Sequence, residues 1–490
     1  MQQNFIGSKP RLDFWVIIAL ASLMVVLFYL IVSFLTFRVG FPLDDAWIHL
    51  TYARNLAEHG EWAFQVGERS AGSTSPLWTA LLSIGFLINL APYVWTYLLG
   101  WVVLSLVGIF AEHFTRRLVP AYQARIPWAG LFFVFAWHLS WSAVSGMETL
   151  LHGLIILLVL GALHTGSRRY LALGMLTGLS VWVRPDGLTL IGPILLVAVL
   201  SERTGHLRGE AILKTLIGFG SLILPYVLFN LALSGNPMPN TFYAKQAEYQ
   251  SYWMSKSILD RVLDYLGPIL ASPFVVLIPA AVGWLAKRIR AHDWGTLASL
   301  LWVTGYIAVY FISLPAYQHG RYIIPAFPIV YLWGIAGFLE FVYSARSNRR
   351  IVFIWQALTV ALCLVFAWIG ARQNAADVLW VESEIVATAK WVDQNIPADA
   401  RLAVHDIGAL GYHVDNPIVD LAGLINPDVI PFIRDEAQLA QYLNSKSVDY
   451  LITFPSFYPE LTAQREVVPR SGLEETPQHS GETMHIYQWK

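Results

Sequence analysis

The chain has 490 residues, 32 Lys+Arg against 33 Asp+Glu, a formal net charge of −1, and is 56% hydrophobic with only 13% charged residues. A soluble protein carries roughly a quarter charged residues, so the composition excludes an ordinary globular enzyme. The balanced charge excludes a protein that gathers nucleic acid through its overall field, and the single cysteine, Cys363 in an apolar run, excludes an internal disulfide or a cysteine-rich metal site.

In chain order, the first element is the apolar run FWVIIALASLMVVLFYLIVSFLTF (14–37). It exceeds the roughly 20 residues needed to cross a bilayer. No small-residue cleavage site follows it, so it reads as a retained span. Residues 44–59 then read as an amphipathic helix. Ile48, Tyr52 and Leu56 fall at i, i+4 and i+8, and Gly60 suits the stop. The plain structural reading of Asp44 is an N-cap, and of Asp45 a first-turn acid favoured by the helix dipole. A cap needs one short polar residue, however, and a second carboxylate beside it adds repulsion. The pair is also placed to accept a proton from a bound hydroxyl.

Residues 76–114 contain two apolar runs with a turn at Ala91-Pro92. Later polar breaks alternate between two kinds. Basic ones occur at 7–11, 116–125, 166–169, 201–208, 287–290 and 344–350, and the positive-inside rule puts them in the cytoplasm. The others carry motifs: the Asp44 region, SGMET (145–149), RPDG (184–187), GNPMPNTFYAKQ (235–246) and YQHGRY (317–322). Two crossings within 76–114 would invert every later loop. The sequence therefore predicts that 76–90 lies along the outer surface or dips in and returns, while about 93–114 crosses. The result is about eleven spans over 1–370, a first external loop at 38–92, a cytoplasmic amino terminus and a tail outside the plasma membrane.

Residues 371–490 hold 8 Lys+Arg against 17 Asp+Glu and read as a soluble α/β domain. A helix is predicted over 381–396, with another at 435–445. Strands are predicted at 401–406, 417–423, 449–454 and 484–489, in an order that suggests a partly parallel sheet. HDIGALGY (405–412) reads as a strand-to-turn corner, with His405 and Asp406 in structural hydrogen bonds.

Ionisable groups at the outer ends of spans are the chemical candidates: Glu148, Arg184, Asp186, Lys245, His319 and Arg321. Charge in the membrane margin is costly and is retained for pairing or for function. Local pairing of Arg184 with Asp186, or snorkelling, is the structural alternative. Their convergence on one side of the membrane favours a shared site. Trp78 and Tyr243, beside the motifs, are candidates for stacking on a sugar face, although most of the 20 Trp and 22 Tyr suit interfacial belts.

The stretch DDAWIHLTYARNLAEHGEWAFQVGERSAGSTSPLW (44–78) resembles the first external loop of GT-C class membrane glycosyltransferases. It is nearest the arabinofuranosyl- and mannosyl-type branch, family 39-like, that uses polyprenyl-phosphate sugars. SGMET, RPDG, NPMPNTFYAKQ, HGRYIIPAFP and, in the tail, HDIGALGYHVDNPIVDLAGLINP (405–427) continue the likeness. The resemblance implies a multi-pass α-helical GT-C fold with juxtamembrane helices in the first external loop. It implies inverting transfer of a sugar from a lipid phosphate to a glycan, lipid or protein acceptor on the outer face, among membrane lipids and with no nucleic acid. By position, Asp44 would be the catalytic base, with Asp45 raising its pKa or orienting the acceptor. Arg321, Lys245, Arg184 and His319 would bind the donor phosphate. Glu148, Asp186, Tyr322, Trp78 and Tyr243 would contact sugar or acceptor. No metal is required, although Asp44, Asp45 and Glu148 offer oxygen ligands for Mg²⁺ or Mn²⁺. The rival classes are a transporter or lipid-linked sugar flippase, which predicts mid-membrane charge and repeated halves, and a non-catalytic receptor or scaffold.

Overall fold

A computed structural model describes residues 12–344, 347–470 and 481–490. The basic stretch 7–11 and residues 345–346 of the 344–350 break lie outside the described residues. The first span is helix α1 (Leu12–Thr36). Its side chains Leu20, Met24, Ile31, Phe34 and Leu35 are exposed, as they would be if they faced lipid. Helix α2 (Asp45–His59) follows and ends at Gly60, whose φ of 69° lets its N–H close onto the Leu56 carbonyl and the Glu61 N–H onto that of Asn55. A short hairpin, β1 (Ala63–Gln65) and β2 (Glu68–Arg69), is tied to α2 by the Asn55 amide, which donates to the carbonyls of Ala63 and Phe64 at 3.0 Å each.

Helix α3 (Pro76–Leu87) starts with proline after a Ser75 cap. Its 12 residues reach about 18 Å at 1.5 Å each, short of a ~30 Å hydrocarbon core. It packs on α4 (Pro92–Leu118), the Trp95 indole N–H donating to the Leu81 carbonyl at 2.8 Å. The two helices predicted for 76–90 and 93–114 are present, the first too short to cross and the second long enough.

Helices α5 (Trp128–Phe135), α6 (Trp137–Val144), α7 (Thr149–His164), α8 (Tyr170–Val183), α9 (Ile191–Ser201) and α10 (Gly205–Ser234) follow. Helices α8 and α10 approach closely because glycines face backbone. A Cβ at Gly174 would collide with the Thr215 carbonyl, and one at Gly218 with that of Leu171. Helices α11 (Asn240–Ser255) and α12 (Ile258–Leu270) come next. Helix α12 exposes Ile258, Leu259, Leu263, Leu266 and Leu270, and an 84° bend separates it from Pro273–Arg290. Then come α13 (Ile278–Arg290), α14 (Trp294–Ser313), α15 (Phe327–Val342) and α16 (Arg349–Trp380). Glu340 pairs with Lys287. Among the described residues, six helices are long and apolar enough to cross a membrane, or seven with the bent pair counted as one span.

The tail begins inside a helix. Helix α16 continues through a π-helical turn, Val381–Val386, into α17 (Ala387–Asn395), so the predicted 381–396 helix and the boundary at 371 lie within one uninterrupted rod. Strand β3 (Leu402–Val404), helix α18 (Ile407–His413) and strand β4 (Ile418–Asp420) form a parallel crossover. Helix α19 (Glu436–Ser445) leads to β5 (Tyr450–Thr453), parallel to β3, and β6 (His485–Gln488) pairs antiparallel with β5. The sheet order is β4-β3-β5-β6. All four predicted strands are present and the sheet is mixed.

Candidate active site

A cavity of about 500 Å³ lies among α2, the start of α7, the 184–193 turn, α11, α14, Arg321–Tyr322 and, from the tail, Leu424. Helix α14 shapes one wall by its periodicity. Trp302, Tyr306 and Tyr310 at i, i+4 and i+8 are buried, and Leu301 and Val309 at the rim are exposed. Gly192 and Gly305 also line it, and a Cβ on either would meet nothing within 4 Å. With Pro193, Leu196 and Leu314, one side of the cavity is apolar.

The other side holds two charged constellations. In the first, every nitrogen of Arg184 donates. Its Nη1 donates to Glu148 at 2.8 Å, its Nε to Asp186 at 3.3 Å and its Nη2 to the Tyr310 hydroxyl at 3.2 Å. The Tyr306 and Tyr310 hydroxyls donate to Asp186 Oδ2 at 2.7 and 2.6 Å. His49 Nε2 stands 3.4 Å from Glu148 Oε2, while its Nδ1 lies 3.2 Å from both the Ser73 and Thr79 hydroxyls. In the second, Arg321 Nη2 donates to Asp45 Oδ2 at 2.7 Å and Lys245 Nζ at 3.3 Å. Burial opposes ionisation of Asp45, but Lys245 and Arg321 outweigh it and hold its carboxyl well below the usual range. The Tyr322 ring stands between the two, within 5.1 Å of the Arg321 guanidinium carbon and 5.7 Å of that of Arg184.

One donor in this cluster is unclaimed. Arg321 is only 6% exposed, yet its Nη1 makes no hydrogen bond among the described residues. A buried guanidinium N–H without an acceptor costs ~1–3 kcal/mol or more, which an incoming anion would recover. The backbone before Arg321 is unusual. Gln318, His319 and Gly320 have φ of 49°, 63° and 79°, three left-handed residues in a row.

Asp45, Lys245, Arg184, Arg321, Glu148, Asp186 and Tyr322 thus converge on one cavity. Asp44, which the resemblance made the expected base, does not line it. It stands at the N-cap position without making a cap hydrogen bond, because its carboxylate accepts the N–H groups of Gly408 and Ala409 in the tail, both at 2.8 Å. Burial first, then Asp406 and Asp45, push it up to about 8 against those two N–H groups. His319 is also elsewhere. Its Nε2 lies 2.8 Å from Asp377 on α16, with Trp137 and Trp141 edge-on to its ring. Trp78 is buried and donates to the Gly146 carbonyl at 2.9 Å, and Tyr243 packs edge-on against Phe242. Neither lines the cavity, so neither presents a ring there for stacking. Among the described residues no three His, Cys, Asp or Glu side chains group as a metal-binding set. Asp44, Asp45 and Glu148 are each held by different partners.

Tyr306, Tyr310 and His49 were not among the candidates read from the sequence. The Tyr306–Tyr310 i,i+4 pair inside an apolar span was the available signal, and His49 lies one turn from Asp45. The corner at His405 is more than structural padding. Its Nδ1 meets the Tyr458 hydroxyl at 2.8 Å and its Nε2 meets Glu248 on α11 at 3.2 Å, while Arg434 reaches the same Glu248 oxygen at 3.2 Å.

The chain-wide arrangement matches solved structures. It is similar to ArnT from Cupriavidus metallidurans bound to undecaprenyl phosphate, at 14% identity and a TM-score of 0.60, covering 98% of this chain and 99% of that one. It is similar to the apo oligosaccharyltransferase of Archaeoglobus fulgidus at 12% identity and a TM-score of 0.62, covering 92% and 70%. It is also similar to the arabinofuranosyltransferase AftD from Mycobacteria at 16% identity and a TM-score of 0.53, covering 96% of this chain and 39% of that one. A family model described as "Domain of unknown function (DUF8728)" matches residues 373–487. No curated protein matches the chain. The fold is that of the GT-C class of membrane glycosyltransferases, as the resemblance of 44–78 implied.

Proposed function

We propose that this protein is an inverting glycosyltransferase that moves a sugar from a polyprenyl phosphate to a cell-envelope glycan, lipid or protein on the outer face of the membrane. The observation that carries the reading is the unclaimed, buried Nη1 of Arg321, beside Lys245, on the polar side of a cavity whose opposite side is apolar. A lipid phosphate has this same division, an anion on a hydrocarbon chain. The similar ArnT structure holds undecaprenyl phosphate. The topology that suits it has eleven crossings: α1, α4, α5–α6, α7, α8, α9, α10, α13, α14, α15 and α16. Helices α3, α11 and α12 then lie at the outer surface.

In this reading the donor phosphate binds at Arg321 Nη1 and Lys245. Asp45 loses its share of those cations as the phosphate takes it. Its pKa then rises toward that of a useful base. The acceptor hydroxyl oxygen bonds to the anomeric carbon from the face opposite the phosphate, and its proton passes to Asp45. The bond from anomeric carbon to phosphate oxygen breaks, and its electron pair leaves with the polyprenyl phosphate. That leaving group is already a stable anion and needs cations rather than an acid. No step is routed through a metal.

The test offers purified protein a panel of polyprenyl-phosphate sugars with envelope acceptors and follows release of the free lipid phosphate. Asp45→Asn is expected to lower turnover by about 10²–10⁴ while lipid-phosphate binding is kept or tightened, because the competitor for Arg321 has gone. Near-normal turnover in a folded, inserted Asp45→Asn protein would defeat the reading. For topology, a cysteine at Ala91 should react with an impermeant reagent added outside.

A further inference from the structure

The proposed donor has two ends, and the cavity treats them differently. At the phosphate end, two cations, Arg321 and Lys245, face one carboxylate, Asp45. At the other polar wall, one cation, Arg184, faces two carboxylates, Glu148 and Asp186. All three of the Arg184 nitrogens already donate to protein oxygens, whereas the unclaimed N–H belongs to Arg321. Glu148 is 1% exposed and its Oε2 makes no hydrogen bond, with His49 the nearest cation-forming group at 3.4 Å. Counting the carboxylate, guanidinium and ammonium groups alone, the cavity has one excess positive charge where the phosphate would lie and one excess negative charge at the Arg184 wall, where His49 and His152 stand 3.4 Å from Glu148 and 3.9 Å from Asp186.

From this division we infer that the donor's only anionic group is its phosphate and that the sugar it carries has no acid substituent, so that uronosyl donors are rejected. The inference rests on the lipid-phosphate reading above and names the class of sugar for the same cavity. A sugar carboxylate would enter a buried wall that is acidic and whose single guanidinium already donates from each of its three nitrogens to protein oxygens. It would lie there without a partner, a costly state for a charge out of water. A sugar hydroxyl suits the same wall, since it can donate to the unbonded Glu148 oxygen.

The test measures binding of three short-chain probes to the full-length protein in detergent: farnesyl phosphate, farnesyl-phosphoryl mannose and farnesyl-phosphoryl galacturonate. Farnesyl phosphate and the mannosyl ester should bind, and the galacturonosyl ester should bind at least tenfold more weakly than the mannosyl ester. A ratio under tenfold overturns the inference. Glu148→Gln removes one negative charge from the wall and should shrink the ratio at least threefold. If that variant does not fold, Asp186→Asn makes the same change of charge. An unchanged ratio in the folded variant also overturns it. Failure of farnesyl phosphate itself to bind would instead sink the lipid-phosphate reading. Binding of farnesyl phosphate without discrimination between the two esters sinks the charge argument alone.

Discussion

Asp44 holds the amide hydrogens of Gly408 and Ala409, so replacing it should report on docking of the tail rather than on proton transfer. Two hydrogen bonds to a carboxyl held mainly neutral below pH 8 contribute together about 1–3 kcal/mol. Asp44→Ala should therefore speed hydrogen exchange at Gly408 and Ala409 by roughly 10- to 100-fold, at about 1.4 kcal/mol per tenfold. Unchanged exchange would show that the tail does not depend on this carboxylate. The contact is also pH-sensitive. Asp44 is pushed up to about 8 and Asp406 up to about 6, by burial first in each case, and Glu248 raises His405 above its ordinary value despite burial. A group raised in the folded state contributes stability that is complete below its unfolded pKa and is lost as pH rises through the folded value. All three act in one direction, with Asp45, Glu248 and Arg434 as the charged neighbours. Tail protection should fall as pH rises toward 8, less steeply in Asp44→Asn. From sequence, the two adjacent acids could be recognised as a site but not told apart. The partner that separates them lies 364 residues away.

Between α14 and α15, the left-handed run at 318–320 decides where Arg321 points. Non-glycine residues held there cost about 1–3 kcal/mol each, so other contacts must enforce the turn. The His319–Asp377 pair is one such contact. His319→Asn, which tolerates the left-handed region, should keep lipid-phosphate binding within a few-fold, whereas the β-branched His319→Val should weaken it at least tenfold. Equal binding by both would show that the turn does not set Arg321. Sequence reading placed His319 with the phosphate cations because it adjoins Arg321 and lies at the same outer end of a span. A positive φ reverses the side chain's direction, and neither composition nor periodicity reports φ. By contrast, the break of 76–114 into a short and a long helix was legible, because the Ala91-Pro92 turn separates two apolar runs. The rise in charge after residue 371 marks a change of composition, and the backbone there continues as helix.

The whole molecule places a wall of the cavity in the tail. Leu424 lines the cavity and its carbonyl accepts from Asn240 on α11 at 3.0 Å. Trp47 of α2 packs against Tyr412 and His413, and Arg54 donates to the Tyr412 carbonyl at 2.8 Å. Gly408 permits this approach, since a Cβ there would collide with the Asp44 carbonyl oxygen. Gly408→Ala should therefore release residues 405–427 to protease while the membrane helices remain folded by circular dichroism. Wild-type resistance would show that the contact can shift to admit a methyl group. The parallel strands of the tail were legible as short β-branched runs between turn residues. Their docking on α2 was not, because it rests on pairs far apart in the chain. The rod Arg349–Asn395 has a further consequence. Its 47 residues extend about 70 Å at 1.5 Å each, and its π turn holds Glu382 against Tyr93 at the start of α4 and Glu384 against the Met484 backbone. The globular portion is thus mounted on a stiff shaft instead of hanging from a tether. Should it swing to admit a bulky acceptor, the torsion would be taken up at that widened turn, and the same twist would pull on the 38–43 segment through Gly40, which abuts Glu382.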